Sequence, residues 1–306
     1  MRFLVAPLVA VAALASLAGV GGACTSAGPA APAAALPVVA SVTQVSALVR
    51  SVGGDRIRLT ALVGPGDDPH AHDIRPSEVR ALSGAAVSFE SGAGLDGWLE
   101  RGARAAGRAD RLVDLSTAVH LRRVAGGGAD PHWWYDVGNA KAAARAIATA
   151  LSRADPASAR HYRDAADSLD RRFDAADAQV RAAIDPIPPA RRLFVANHDA
   201  FNYFLARYGI TLVGDVVPST DSIAAVRPAE TAKLVQEIRA RHVCAIFTET
   251  TIDAKLAQQV ATEAGVRVYA GRLYGDAIGG QGSPGETLEG ALVYDGRLMA
   301  EAMAAC

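Results

Sequence analysis

The stretch from Gly64 to Val79, GPGDDPHAHDIRPSEV, decides how the rest of the chain is read. It follows RIRLTALV (56–63), whose alternation and β-branched residues predict a strand. It closes on Pro76-Ser-Glu, a helix opening with proline at the first helical position. His70, fixed behind Pro69, is thus expected on a loop between a strand and a helix, where open α/β sheets bind ligands. Asp-Pro-His returns at 130–132 in DPHWWYD, again with an acid a few residues on. Two histidines presented in one local frame suggest a shared ligand, and neutral imidazole is a good metal donor.

Outward from that stretch, strands and helices alternate. Residues 38–63 read as strand, amphipathic helix, Gly-Gly turn and strand. A helix from Pro76 to Leu82, a strand at 85–91, a Gly-rich loop at 94–107 and a short strand at 111–116 follow. Such alternation implies parallel sheets covered on both faces. Residues 121–129, ending in three glycines, read as a mobile connector. A helix over 139–155 is followed by 156–185, where Tyr162, Ala165, Leu169, Phe173, Ala176 and Val180 keep three-to-four spacing. A helix of that length does not fit inside one small lobe; it is expected to join two, and Pro186, Pro188 and Pro189 stop it. Strands at 192–197, 211–217, 244–250 and 266–271 then alternate with helices up to a terminal helix at 286–305. The expected division is 38–155 for the first lobe, 156–187 for the linker helix and 188–306 for the second lobe.

A chain of 306 residues is long enough for two lobes. Its net charge of −1 provides no basic field for nucleic acid. Residues 1–23, a positive start, an apolar run and small residues, read as an export signal rather than a membrane span. Cys24 then resembles the lipid-modified cysteine of a bacterial lipobox, although Gly21 stands where leucine is usual. Residues 24–37 form a Pro/Ala tether, so folding is expected to start near Val38. Cys244 and Cys306 remain as a disulfide candidate in an exported protein, two separate thiols being the other reading.

His198 follows the strand 192–197, and Asp276 lies in RLYGDAIGG after the strand 266–271. With His70 and His132 they make a four-donor nitrogen and oxygen set, as a holding site for zinc requires. Glu249, at the end of a strand, is a candidate to orient one of the imidazoles through its other nitrogen. Asp136 and Asp199 either do similar work or cap the following helices. Trp133 and Trp134 are expected to pack beside the cleft, and His120, His161 and His242 have no motif around them.

DPHAHDIRPSEV, DPHWWYD, NHDAFNYFLARYG, FTE and YGDAIG, in this order, resemble the extracytoplasmic metal-binding proteins of bacterial zinc/manganese ABC importers over nearly all of 38–306. The resemblance implies an α/β fold of two Rossmann-like lobes joined by one long rigid helix, with metal buried between them. It places His70, His132, His198 and Asp276 at the four ligand positions, and Cys244 and Cys306 where some zinc-type members carry a disulfide. It implies binding rather than turnover, with a permease and an ATPase as partners. The expected protein is a monomer anchored by lipid on the outer face of the cytoplasmic membrane, or else free outside it. His72 stands where relatives usually have an aromatic, and is an alternative or transient ligand, or a neighbour of one. The His/Asp/Glu-rich loop of many zinc-type relatives is missing. Because manganese-type members tend to place a carboxylate where this chain has His198, zinc is the expected ion and manganese the alternative. A metal chaperone or adhesin would share this site. A zinc hydrolase would need an open coordination place and a general base, and no His-Glu-x-x-His occurs.

Overall fold

In a computed structural model, which describes residues 3–4, 35–124 and 127–306, the first strand is β1 (Leu36–Ala40). Cys24 and, apart from Phe3 and Leu4, the export signal lie outside the described residues, as does the tether up to residue 34. The strand starts two residues ahead of Val38, taking in Pro37. Proline is tolerated there because the pairing of β1 with its inner neighbour begins only at Val38.

Helix α1 (Thr43–Gly53) buries Val45, Leu48, Val49 and Val52, one stripe at helical spacing. β2 (Ile57–Ala61) leads into a 3-10 turn at Pro69–Ala71 and then α2 (Pro76–Gly84), where the Glu78 carboxylate accepts the Arg75 N–H at 2.8 Å. β3 (Val87–Glu90) is followed by α3 (Gly97–Ala105), which corrects the loop expected over 94–107. Trp98, Leu99, Gly102 and Ala103 form its buried face. Gly102 is needed where α3 meets α2, because a Cβ there would lie 2.9 Å from the Ile74 side chain. β4 (Leu112–Asp114) completes a parallel sheet in the order β2-β1-β3-β4. The connector at 121–129 is closed by an antiparallel bridge between Arg123 and Ala129, with residues 125–126 outside the described set.

α4 (Val137–Ala154) and α5 (Ala159–Ile184) pack along each other. The 26 residues of α5 span about 39 Å at 1.5 Å per residue. Its buried stripe is Tyr162, Ala166, Leu169, Phe173, Ala176, Val180 and Ile184, so Ala166 takes the inward place expected of Ala165. After it come β5 (Leu193–His198), α6 (Asn202–Tyr208), β6 (Thr211–Val217), α7 (Pro228–Ala240), β7 (Ala245–Glu249), α8 (Lys255–Ala264), β8 (Arg267–Leu273) and α9 (Leu288–Ala304). The strands pair as β5–β6 and β7–β8, both parallel, and each pair carries a register shift, at Phe194/Val195 and at Ile246/Thr248. The Asn197 carboxamide oxygen, accepting the Glu249 N–H at 3.1 Å, and stacked Phe194 and Phe247 join the two pairs.

One apolar core runs without a break from β1 and α1 through Leu169 and Phe173 of α5 to Phe194, Phe247 and Met299. A smaller one, with Val195, Ile238, Ile246 and Val260, lies under α7 and α8. Cys244 and Cys306 are joined by a disulfide, Cα atoms 5.8 Å apart, which ties the end of α9 to the start of β7. No helix among the described residues is long and apolar enough to cross a membrane.

Candidate metal centre

Both Asp-Pro-His tripeptides fold alike. Asp68 accepts the His70 backbone N–H at 2.9 Å, and Asp130 accepts that of His132 at 3.0 Å, so the aspartate two residues ahead fixes each histidine's main chain. Proline between them narrows the turn further. His198 is the last residue of β5, and Asp276 lies just beyond β8.

These four residues converge. One donor atom from each of His70, His132, His198 and Asp276 lies within 4.8 Å of all the others. The His132 and His198 Nε2 atoms are both 3.1 Å from the Asp276 carboxylate, and that of His70 is 3.5 Å away. His132, His198 and Asp276 are fully buried, while the His70 side chain keeps 9% exposure. The three Nε2 atoms and both Asp276 oxygens have no hydrogen-bond partner. Leaving one such atom unpaired in an interior costs about 1–3 kcal/mol, and more for a charged group. Five in one place are accounted for by a cation that accepts all their lone pairs.

The other nitrogen of two rings is held by a carboxylate. Asp130 lies 2.8 Å from His132 Nδ1, and Glu249 lies 3.0 Å from His198 Nδ1. A proton held on Nδ1 leaves Nε2 as the free donor to metal. For His70 the nearest such group is Asp221, at 3.8 Å, beyond hydrogen-bond reach. Asn202 donates to Asp199 at 2.6 Å and to Asp130 at 3.1 Å, tying α6 to the His132 turn. Asp136 caps α4 by accepting the Asn139 N–H at 3.0 Å. Trp134 is buried edge-on to His132, and Trp133 donates to the Ser91 carbonyl at 3.1 Å.

His72 does not enter this group: its ring packs at a tilt against Trp98, centroids 4.3 Å apart, and lies 3.2 Å from Glu78. His120 and His242 are exposed, and His161 is half-buried on α5. Asp130 was readable only as half of a turn motif. Its contact with His132 Nδ1 depends on a side-chain rotation that spacing does not encode.

Without metal, the four groups share protons unevenly. Burial opposes charge on His132, but Asp130 on its Nδ1 and the Asp276 carboxylate beside its Nε2 outweigh it and push its pKa up to about 9. For His198, burial is likewise overcome by Glu249 and Asp276, which hold its pKa well above the usual value. Burial lowers the pKa of His70, although Asp276 resists. The Asp276 carboxyl is held well below the usual range because His198 and His132 outweigh its burial. A metal ion must therefore displace protons from His132 and His198 before their Nε2 atoms can coordinate. The raised His132 value stabilises the metal-free fold fully below pH 6.5, a contribution lost as pH rises through about 9, and the raised His198 value acts in the same direction. The depressed Asp276 value adds stability above pH 3.8 that is lost on further acidification. Metal affinity has the opposite slope over the neutral range, rising up to about pH 9. Calorimetry at pH 7 in two buffers of different ionisation enthalpy should therefore register proton release on metal binding. A reading of zero would contradict imidazoles that carry protons before the ion arrives.

The family described as "ZnuA: Zinc-uptake complex component A periplasmic" matches residues 38–302. The manganese-binding lipoprotein MntA of Bacillus subtilis (strain 168) is 31% identical over 263 residues, covering 83% of this chain and 85% of that protein. The zinc-binding protein TroA of Treponema pallidum (strain Nichols) is 28% identical over 268 residues, covering 84% and 85%. The solved structure of periplasmic zinc-binding protein TroA from Treponema pallidum superposes with a TM-score of 0.82 at 24% identity, over 88% of this chain and 99% of that one, a likeness of fold.

Proposed function

This chain belongs to the zinc-uptake complex component A family, and from that premise we propose that it captures Zn²⁺ through His70, His132, His198 and Asp276. It is the substrate-binding protein of a metal ABC importer and not an enzyme, like relatives named for binding metal. In the proposed cycle, segments 38–155 and 188–306 act as lobes on either side of the ion, 156–187 links them, and a permease and its ATPase accept the metal. The protein acts as a monomer held at the membrane by lipid on Cys24, in line with relatives named as lipoproteins.

The observation that carries the assignment is the convergence of three partnerless imidazole nitrogens and one carboxylate in a buried setting. Three nitrogens to one carboxylate suit zinc better than the harder manganese ion, and zinc also stands above manganese in intrinsic affinity. Manganese is the second reading, favoured by the likeness to MntA. Elemental analysis of the purified protein, with competition of Zn²⁺ against Mn²⁺ for the metal-free form, decides between them. The proposal expects zinc to displace bound manganese completely at equal total concentrations. Persistent manganese under those conditions would overturn it.

A further inference from the structure

His132 and His198 are each aimed by a carboxylate on their second ring nitrogen, but Asp276 has no such help. Apart from the ring nitrogens of the metal-facing histidines, no protein donor lies on either of its oxygens, so its direction is set through its own main chain. The peptide groups around it are held from a distance. The Tyr135 hydroxyl reaches the Gly275 carbonyl at 2.8 Å and also lies against the Tyr274 carbonyl. The Gln44 carboxamide donates to the same Gly275 carbonyl at 3.1 Å. Thr43 fixes that amide's orientation by donating to its oxygen at 3.1 Å, and itself accepts the Ile278 N–H at 3.0 Å. From the other side, Asp295 of α9 accepts the Tyr274 N–H at 2.9 Å. Tyr135, Gln44 and Asp295 are all buried.

The fit is close enough to demand glycine next to the donor. A Cβ on Gly275 would lie 1.9 Å from the Glu249 carboxylate, the group that holds His198. The segment 274–276 is thus confined between Glu249 on one side and Tyr135 with Gln44 on the other. Tyr135 also belongs to the 3-10 turn that begins right after His132, its N–H reaching the His132 carbonyl at 3.3 Å. One aromatic side chain therefore fixes the spacing between two metal donors that lie far apart in sequence.

We infer that Tyr135 and Gln44 are positioning residues for metal binding: by holding the Gly275 carbonyl they set where the Asp276 carboxylate stands relative to His132. The inference rests on the ligand assignment proposed above. Groups that orient a donor without touching the ion typically change metal affinity by about 10–100-fold when removed. Phenylalanine at 135 keeps the ring and its packing, and removes only the hydroxyl.

Cobalt(II) tests this, because its visible absorption reports the coordination geometry, not only occupancy. The full chain would be stripped of metal and loaded with Co²⁺ as wild type, Tyr135→Phe, Gln44→Leu, His132→Ala and Tyr162→Phe. Tyr162→Phe is the control, since it removes a tyrosine hydroxyl that bonds Asp155 at 2.9 Å on α5, away from the site. Tyr135→Phe and Gln44→Leu should shift the visible bands and speed Co²⁺ dissociation by about ten-fold. Tyr162→Phe should match wild type in both, whatever its melting temperature. Wild-type bands and rates in Tyr135→Phe and Gln44→Leu would overturn the inference, and Gln44→Leu carries the test alone if Tyr135→Phe does not fold. Failure of the ligand assignment looks different: His132→Ala would then keep the wild-type spectrum, or the wild type would take up no cobalt.

Discussion

Replacing His132 by alanine is expected to weaken zinc binding by about 10²-fold or more. Four-donor zinc sites are worth roughly 10–16 kcal/mol in apparent binding energy, so one donor's share is about 3 kcal/mol. The loss should be at the upper end of what one imidazole gives. Removing the ring also leaves Asp130 buried without its 2.8 Å partner and takes away one of the two rings that hold Asp276 ionised. His198→Ala should cost a similar amount, because it strands Glu249 in the same way. His120→Ala should change nothing in the same titration, since that ring is exposed and outside the cluster. Equal losses for the His120 and His132 variants would refute the assignment of donors.

The second large effect concerns stability. The Cys244–Cys306 bond closes a loop with a sequence separation of 62, and a crosslink of that span restricts the unfolded chain by about 4 kcal/mol in the chain-entropy account. It also anchors the end of α9, whose Met299 and Met303 are buried in the core. Reduction, or Cys244→Ser, should lower the free energy of unfolding of the metal-free protein by about 2–4 kcal/mol, read from urea midpoints of the oxidised and reduced forms. Coincident midpoints would show that the bond constrains little.

Where function and fold depend on periodic patterns, the sequence was readable. The apolar stripe of α5 follows from spacing alone, with only the choice between Ala165 and Ala166 misplaced. Pro76 marks the start of α2 as expected, and Pro228 opens α7 in the same way. Helix α3 was hidden because its glycines resemble a loop, and what Gly102 is for shows only in its packing against Ile74 and Leu82. The split of the later strands into two pairs depends on register shifts that no alternation pattern reports. At the site, the Asp-Pro-His frame pointed to His70 and His132, but it left His72 open as an alternative ligand two residues on. The difference is tertiary: Trp98 and Glu78, from α3 and α2, take up the second ring. Tyr135 and Gln44 were invisible for the same reason, since their partner carbonyl lies in a loop near the other end of the chain.

The unbroken apolar core beneath the site also limits how cargo can be let go. Any opening that parted the segments packed around α5 would wet part of that core, and exposing even ~200 Å² of it costs ~5 kcal/mol. That is comparable to the whole margin by which an ordinary domain stays folded. A small local displacement costs less, and of the four side chains His70 is the least firmly held. It alone of the four keeps a window to solvent, its free nitrogen sits farthest from the carboxylate, and no acid within hydrogen-bond reach braces its ring from behind.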